Sequence, residues 1–198
     1  MDAAAWDDRY RATDRLWSTG PNVFVEDRLS DRVPGVGIDL AAGEGRNAIW
    51  LASRGWQMTA VDFSPVAVER GREQAADVEW IAADVLDWEP QPGGSDLVLI
   101  AYLHLVPEDF EPLIRRAITW FRPGGEVFMV GHDRSNIEHG HGGPQVPEIL
   151  WDVEEIVPWL DGLDILEARV VERQVELDGG SATALDALIR GRALSEVG

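Results

Sequence analysis

A chain of 198 residues with 45% hydrophobic content is long enough for one sizeable core and short for two. Its 36 acidic against 17 basic residues give a formal net charge of -19, a field that repels nucleic-acid phosphates and anionic lipid. There is no cysteine and no lysine, which excludes a thiol nucleophile, a thiolate zinc site, a disulfide, a lysine Schiff base and a P-loop lysine. Residues 1–11 are acidic and aromatic where a signal peptide needs basic residues and then an apolar run. No apolar run approaches the roughly 18 residues of a membrane helix. A cytoplasmic protein that binds neither membrane nor nucleic acid is expected, and nothing in the sequence fixes an oligomeric state.

From residue 33 onward, short apolar runs alternate with segments of helical period, the pattern of a mainly parallel sheet covered by helices on both faces. Strands are predicted over 36–40, 58–63, 79–83, 97–101 and 126–130. Helices are predicted over 46–54, stopping at Gly55, over 65–76, capped by Ser64 with proline at the first helical position, and over 107–121. The run 97–101 is apolar enough to lie mid-sheet. Residues 131–147 hold three of the four histidines among many glycines and read as a long functional loop, followed by a helix over 152–160. Strands over 163–177 and 181–192, joined by Asp178-Gly179-Gly180, read as a hairpin closing one sheet edge. The expected architecture is a single domain, with a helical cap over 1–32 and a three-layer, Rossmann-like α/β core over 33–198.

The sharpest motif is Asp39-Leu-Ala-Ala-Gly43-Glu-Gly45, at the carboxyl end of the first strand and the start of a helix. Glycines there let backbone approach a ligand, and the helix N-terminus favours an anionic group. Gly43, Gly45 and Ala48 also satisfy the G-x-G-x-x-A form of the dinucleotide fingerprint, which keeps an NAD-dependent oxidoreductase open. Asp39 argues the other way, because an acid just ahead of the turn suits a cofactor with a cationic ammonium and sulfonium and sits badly beside a pyrophosphate. Asp62, ending the second strand before Phe63 and Ser64, suits both ribose hydroxyls. Asp84, ending the third strand before Val85, can read an adenine edge.

These segments resemble the class I S-adenosylmethionine-dependent methyltransferases, with closest likeness to the bacterial tellurite-resistance and thiopurine group. The resemblance runs through Gly37-Ile-Asp-Leu-Ala-Ala-Gly-Glu-Gly-Arg-Asn-Ala48, Gly55-Trp-Gln-Met-Thr-Ala-Val-Asp-Phe-Ser64, Ala82-Ala-Asp84, Asp96-Leu-Val98 and Arg122-Pro-Gly-Gly125. It implies a seven-stranded sheet with an antiparallel last strand, S-adenosylmethionine as cofactor and S-adenosylhomocysteine as product. It places Gly43 and Gly45 under the methionine moiety, Asp62 on the ribose and Asp84 beside adenine. Asp39, Ala41, Phe63, Ser64, Val85 and Ala101 complete the candidate cofactor set. The family pattern usually has glycine where Ala41 stands. A cofactor-binding sensor without catalysis is the other open reading.

Ligands on such sheets sit outside the carboxyl ends of the strands, so the segments after the fourth and fifth strands face the transferable methyl group. His104 and His132 are the candidate catalytic residues, each able to orient or deprotonate an acceptor near working pH. Asp133 is a candidate orienting carboxylate. Tyr10, Tyr102 and His141 are candidate substrate-binding residues, with Trp17 part of the same N-terminal cover. No resident metal is expected, since glycine-rich spacing fixes ligands poorly and no cysteine assists. The small, acidic chain favours a small-molecule acceptor.

Overall fold

A computed structural model describes residues 3–13, 20–177 and 179–194. Trp17 and Asp178 lie outside them. Two N-terminal helices, α1 (Ala3–Arg11) and α2 (Val23–Leu29), precede β1 (Val36–Leu40) and α3 (Arg46–Ser53). Then follow β2 (Gln57–Asp62), α4 (Pro65–Gln74), β3 (Glu79–Ala82), β4 (Ser95–Ala101), α5 (Pro107–Ala117) and β5 (Phe121–His132). The chain ends with α6 (Asn136–His139), α7 (Val153–Ile156), β6 (Leu163–Leu177) and β7 (Gly180–Ala193). No helix among the described residues is long and apolar enough to cross a membrane.

The seven strands form one sheet in the order β3-β2-β1-β4-β5-β7-β6. Strands β3, β2, β1, β4 and β5 are mutually parallel, β7 is antiparallel to β5, and β6 is antiparallel to β7. The Rossmann-like architecture and the terminal hairpin are as the sequence predicts. Reversing β7 is what lets a short turn join it to β6 and seat it beside β5.

Alternation along the strands feeds two cores. Leu97 and Leu99 face one layer with Val25, Leu29, Leu51 and Phe128, whereas Val98 and Ile100 face the other with Phe110, Leu113, Trp151 and Ile156. All four β4 side chains are fully buried, each contributing about 1.5–3 kcal/mol over its exposed state, which makes β4 the spine of the sheet.

Boundaries move where tertiary contacts override local pattern. The helix expected over 107–121 ends at Ala117, turns through a 3-10 segment (Ile118–Trp120) and gives way to β5 at Phe121. The stretch between Phe121 and Glu126 bulges out, since Ser95 pairs with Phe121 and Leu97 with Glu126. At its other end β5 runs past Val130 to His132, because β7 pairs with it as far as His132 opposite Asp186. Gly131 permits this: a Cβ there would lie 2.8 Å from the Trp151 ring. The loop expected over 131–147 therefore starts later and carries α6 inside it. The helix expected over 152–160 divides into α7 and a 3-10 turn, Val157–Leu160, that contains Pro158.

Candidate functional site

The carboxyl ends of β1, β2, β4 and β5 converge on one rim of the sheet. After β1 the chain turns through three residues in the left-handed region, Ala41 (φ 56), Gly43 (φ 59) and Gly45 (φ 76), the last being the N-cap of α3. Glycine adopts this conformation freely, whereas Ala41 costs about 1–2 kcal/mol, so the turn holds strain at the position where alanine replaces the glycine that the resemblance expects. Tyr102 (φ 60), just past β4, is the other described non-glycine residue with positive φ. Both strained residues border the same rim, as functional sites often show.

Asp39 is the unusual group. It is 1% exposed, and among the described residues neither carboxylate oxygen has a hydrogen-bond partner. Burial pushes its pKa from 3.8 up to about 7; the Ala48 amide, though it closes no hydrogen bond of normal geometry, and the Arg46 charge pull the other way. A buried carboxylate without a partner is costly. A cation bound beside it removes that cost, so the residue fits a ligand with an ammonium or sulfonium group.

Asp62 organises the turn. Oδ2 accepts a hydrogen bond from the Gly43 amide at 2.8 Å and Oδ1 one from the Ser64 amide at 2.9 Å. Burial raises its pKa, against those two bonds. Each carboxylate oxygen retains a further lone pair for a ligand hydroxyl. Ser64 caps α4 through the Ala67 amide and donates its hydroxyl to Asp7 of α1 in a very short contact, which brings the N-terminal helix over the end of β2. On the same helix Tyr10 is 3% exposed, its ring 5.9 Å from that of Trp6. Phe63 is half-buried and Val85 buried. Asp84 differs: it is exposed, and its Oδ1 accepts from the Leu86 amide at 2.9 Å, so its side chain caps its own turn.

Beyond the turn lies a second polar group of residues. The Tyr102 hydroxyl donates to Asp186 Oδ2 at 2.7 Å and accepts from Arg173 Nε at 2.9 Å and Asn22 Nδ2 at 3.1 Å. Arg46 and Arg173 each hold a guanidinium against the Tyr102 ring, at 5.9 and 5.5 Å from its centroid. Burial, then the Asp186 charge, raises the Tyr102 pKa above its ordinary value, so the phenol stays protonated. Arg173 Nε also donates to Asp186 Oδ2 at 2.7 Å. Burial alone would raise the Asp186 pKa, but His132, Arg173 and Tyr102 together hold it below the ordinary carboxylate range.

His104 and His132 come together as stacked rings, with centroids 5.5 Å apart and planes 10° apart. His104 Nδ1 faces the Ile149 carbonyl at 3.1 Å, while its Nε2 is buried without a partner among the described residues. Burial, then the neighbouring His132, pushes its pKa down to about 4, so it is neutral at physiological pH. His132 Nδ1 lies 3.1 Å from Asp186 Oδ1.

Asp133, the expected orienting carboxylate, turns away: its Oδ1 accepts from the Ser135 amide at 2.9 Å. Asn136 ties down the loop, accepting from the Leu185 amide at 2.7 Å and donating to the Gly142 carbonyl at 2.9 Å. His141 and His139 are exposed on that loop and stand outside the His104–His132 stack. Sequence reasoning missed Asp186, Arg173 and Asn22. The signal for Asp186 was an acid inside the apolar alternation of residues 184–189.

The chain is similar to known methyltransferases in part of its sequence and in its fold. Residues 38–125 match the family described as a methyltransferase domain. The trans-aconitate 2-methyltransferase of Paracidovorax citrulli is 30% identical over 129 residues, covering 64% of this chain and 47% of that protein. The chain spans about half the length, or less, of such curated relatives. Among solved structures, the N-methyltransferase NodS of Bradyrhizobium japonicum, in complex with S-adenosyl-L-homocysteine, superposes with a TM-score of 0.71 at 18% identity, over 98% of this chain and 99% of that one. TehB of Haemophilus influenzae superposes with a TM-score of 0.73 at 16% identity, over 94% of this chain and 66% of that one. Residues 38–125 thus resemble a methyltransferase domain, and the seven-stranded sheet has the fold of these solved structures.

Proposed function

We propose that the protein transfers a methyl group from S-adenosylmethionine to a small molecule, in the cytoplasm, as one domain whose residues 1–32 cap a core of residues 33–198. The observation that carries this reading is the Asp39 carboxylate, buried and without a hydrogen-bond partner among the described residues, directly ahead of a turn with Ala41, Gly43 and Gly45 in the left-handed region. When bound, the cofactor supplies a methyl group on a positively charged sulfur. Asp39 faces its ammonium group, and the turn from Ala41 through Gly43 to Gly45 underlies its methionine portion. Asp62, flanked by Phe63 and Ser64, takes the ribose hydroxyls. Val85, with Asp84 at the turn before it, and Ala101 bound the adenine side.

Methyl transfer is an in-line displacement at carbon, so acceleration comes from alignment in a dry pocket and requires no covalent enzyme intermediate. The buried group around Tyr102 and the two stacked imidazoles serve as the acceptor side, with Tyr10 and His141 at its border. The trans-aconitate relative and the -19 net charge both support a small-molecule acceptor over nucleic acid. Isothermal titration with S-adenosylmethionine, S-adenosylhomocysteine and NAD tests the reading. Saturable binding of the first two supports it; binding of NAD alone overturns it in favour of redox chemistry.

A further inference from the structure

Asp186 is fully buried in the middle of β7, where an unpaired charge would be strongly destabilising. It is held by the Tyr102 hydroxyl and Arg173 Nε, both at 2.7 Å, and its other oxygen stands 3.1 Å from His132 Nδ1. That contact is bent away from a linear hydrogen bond, yet its electrostatics are clear. A bare nitrogen lone pair facing a carboxylate at this distance is repulsive, whereas an N–H is attractive. Nδ1 therefore carries a hydrogen, and in the singly protonated ring the lone pair lies on Nε2.

The surroundings leave that nitrogen serviceable. His104, neutral and stacked on the ring, adds no competing charge. Gly143 meets the opposite edge without a side chain: a Cβ there would lie 2.7 Å from His132 Cδ2 and 2.9 Å from Nε2.

We propose that Nε2 of His132 is the proton acceptor of this site, with Asp186 its positioning residue, and that the methyl acceptor is a molecule whose nucleophilic atom still carries a proton, such as a phenol, an alcohol or a ring N–H. The inference rests on the methyltransferase reading. The acceptor atom bonds to the methyl carbon as the carbon–sulfur bond breaks, and that bond's electron pair stays on sulfur. The proton shed by the acceptor passes to Nε2 and leaves an imidazolium beside Asp186, which stabilises it. A carboxylate acceptor has no proton to shed at neutral pH and would leave this pair idle.

Long-range 1H–15N spectra of the labelled protein, with and without S-adenosylhomocysteine, read the tautomer of each histidine. The His132 signals, assigned by their loss in His132→Gln, are expected to show protonated Nδ1 and bare Nε2; the reverse tautomer overturns the proposal. Diethyl pyrocarbonate, which attacks an imidazole lone pair, supplies a second readout by mass spectrometry. His132 is expected to react several-fold more slowly in Asp186→Asn, with exposed His139 and His141 unchanged, and equal rates at His132 count against Asp186. A general rise at all four histidines marks unfolding of that variant, and the wild-type tautomer then decides alone. Failure of S-adenosylhomocysteine to bind would sink the methyltransferase reading and leave the tautomer result standing, so the two failures are separable.

Discussion

The Trp80 indole fills the space that a side chain at Gly45 would need, its Cη2 lying 2.1 Å from the ideal Cβ position. The same ring atom stands 2.1 Å from the corresponding position on Gly71, so one tryptophan from β3 wedges between the start of α3 and the body of α4. Gly45 also has a φ of 76. Gly45→Ala is therefore expected to cost about 2–4 kcal/mol, from left-handed strain plus overpacking. Thermal unfolding would register the loss, and titration would show S-adenosylmethionine affinity falling with it.

Asp39 predicts a pH dependence of known sign. Its pKa rises from 3.8 in the unfolded chain to about 7 in the fold, so the folded state binds the extra proton between those values. Its contribution to stability is full below about pH 4 and is lost as pH rises through about 7. Ligand binding runs the opposite way, because a cationic cofactor needs the ionised carboxylate: S-adenosylmethionine affinity is expected to rise from pH 6 to pH 8. Asp39→Asn should flatten both trends and weaken binding roughly 10- to 100-fold. Titrations at the two pH values, beside melts of the free protein, check this.

Asp62→Ala is expected to weaken S-adenosylmethionine binding by more than a lost ribose contact alone. It also strips the Gly43 and Ser64 amides of their acceptor, at about 1–3 kcal/mol for each buried donor left unpaired. Asp62→Asn, which keeps an acceptor oxygen for one of those amides, should recover part of the stability and less of the affinity. Equal affinity in wild type and both variants would remove the ribose assignment.

Gly143→Ala tests the loop against the His132 ring. Its φ of 75 and the 2.7 Å approach to His132 Cδ2 force either the loop or the ring to move. Methyl transfer is expected to fall by about 100-fold, the scale of a misplacement near 1 Å, while cofactor affinity holds. A parallel loss of both would place the loop's role elsewhere.

The turn after β1 and the acid that ends β2 were legible because their information is local. The 36–40 strand, the glycine turn and the acid ending β2 fall within a short stretch, where turn chemistry and burial pattern agree with the final fold. Asp84 shows the limit of such reading: its place after β3 matches expectation, but the free backbone amide of Leu86 claimed its side chain. The polar group around Tyr102 and the two stacked histidines was not legible. His132 was visible as a histidine, but its partner is fixed by the β5–β7 register, which no local pattern encodes, and the adjacent Asp133 was the natural misreading.

That register has a consequence for when the protein becomes competent. The glycine turn and its acids belong to the first half of the chain and emerge early from the ribosome. Asp186 and Arg173 are supplied by the last hairpin, which must fold back to insert β7 between β5 and β6. Until then His132 has no carboxylate beside it and the Tyr102 phenol lacks two of its partners. The glycine turn and its acids are thus made before the carboxylate that faces His132, which comes only with β7.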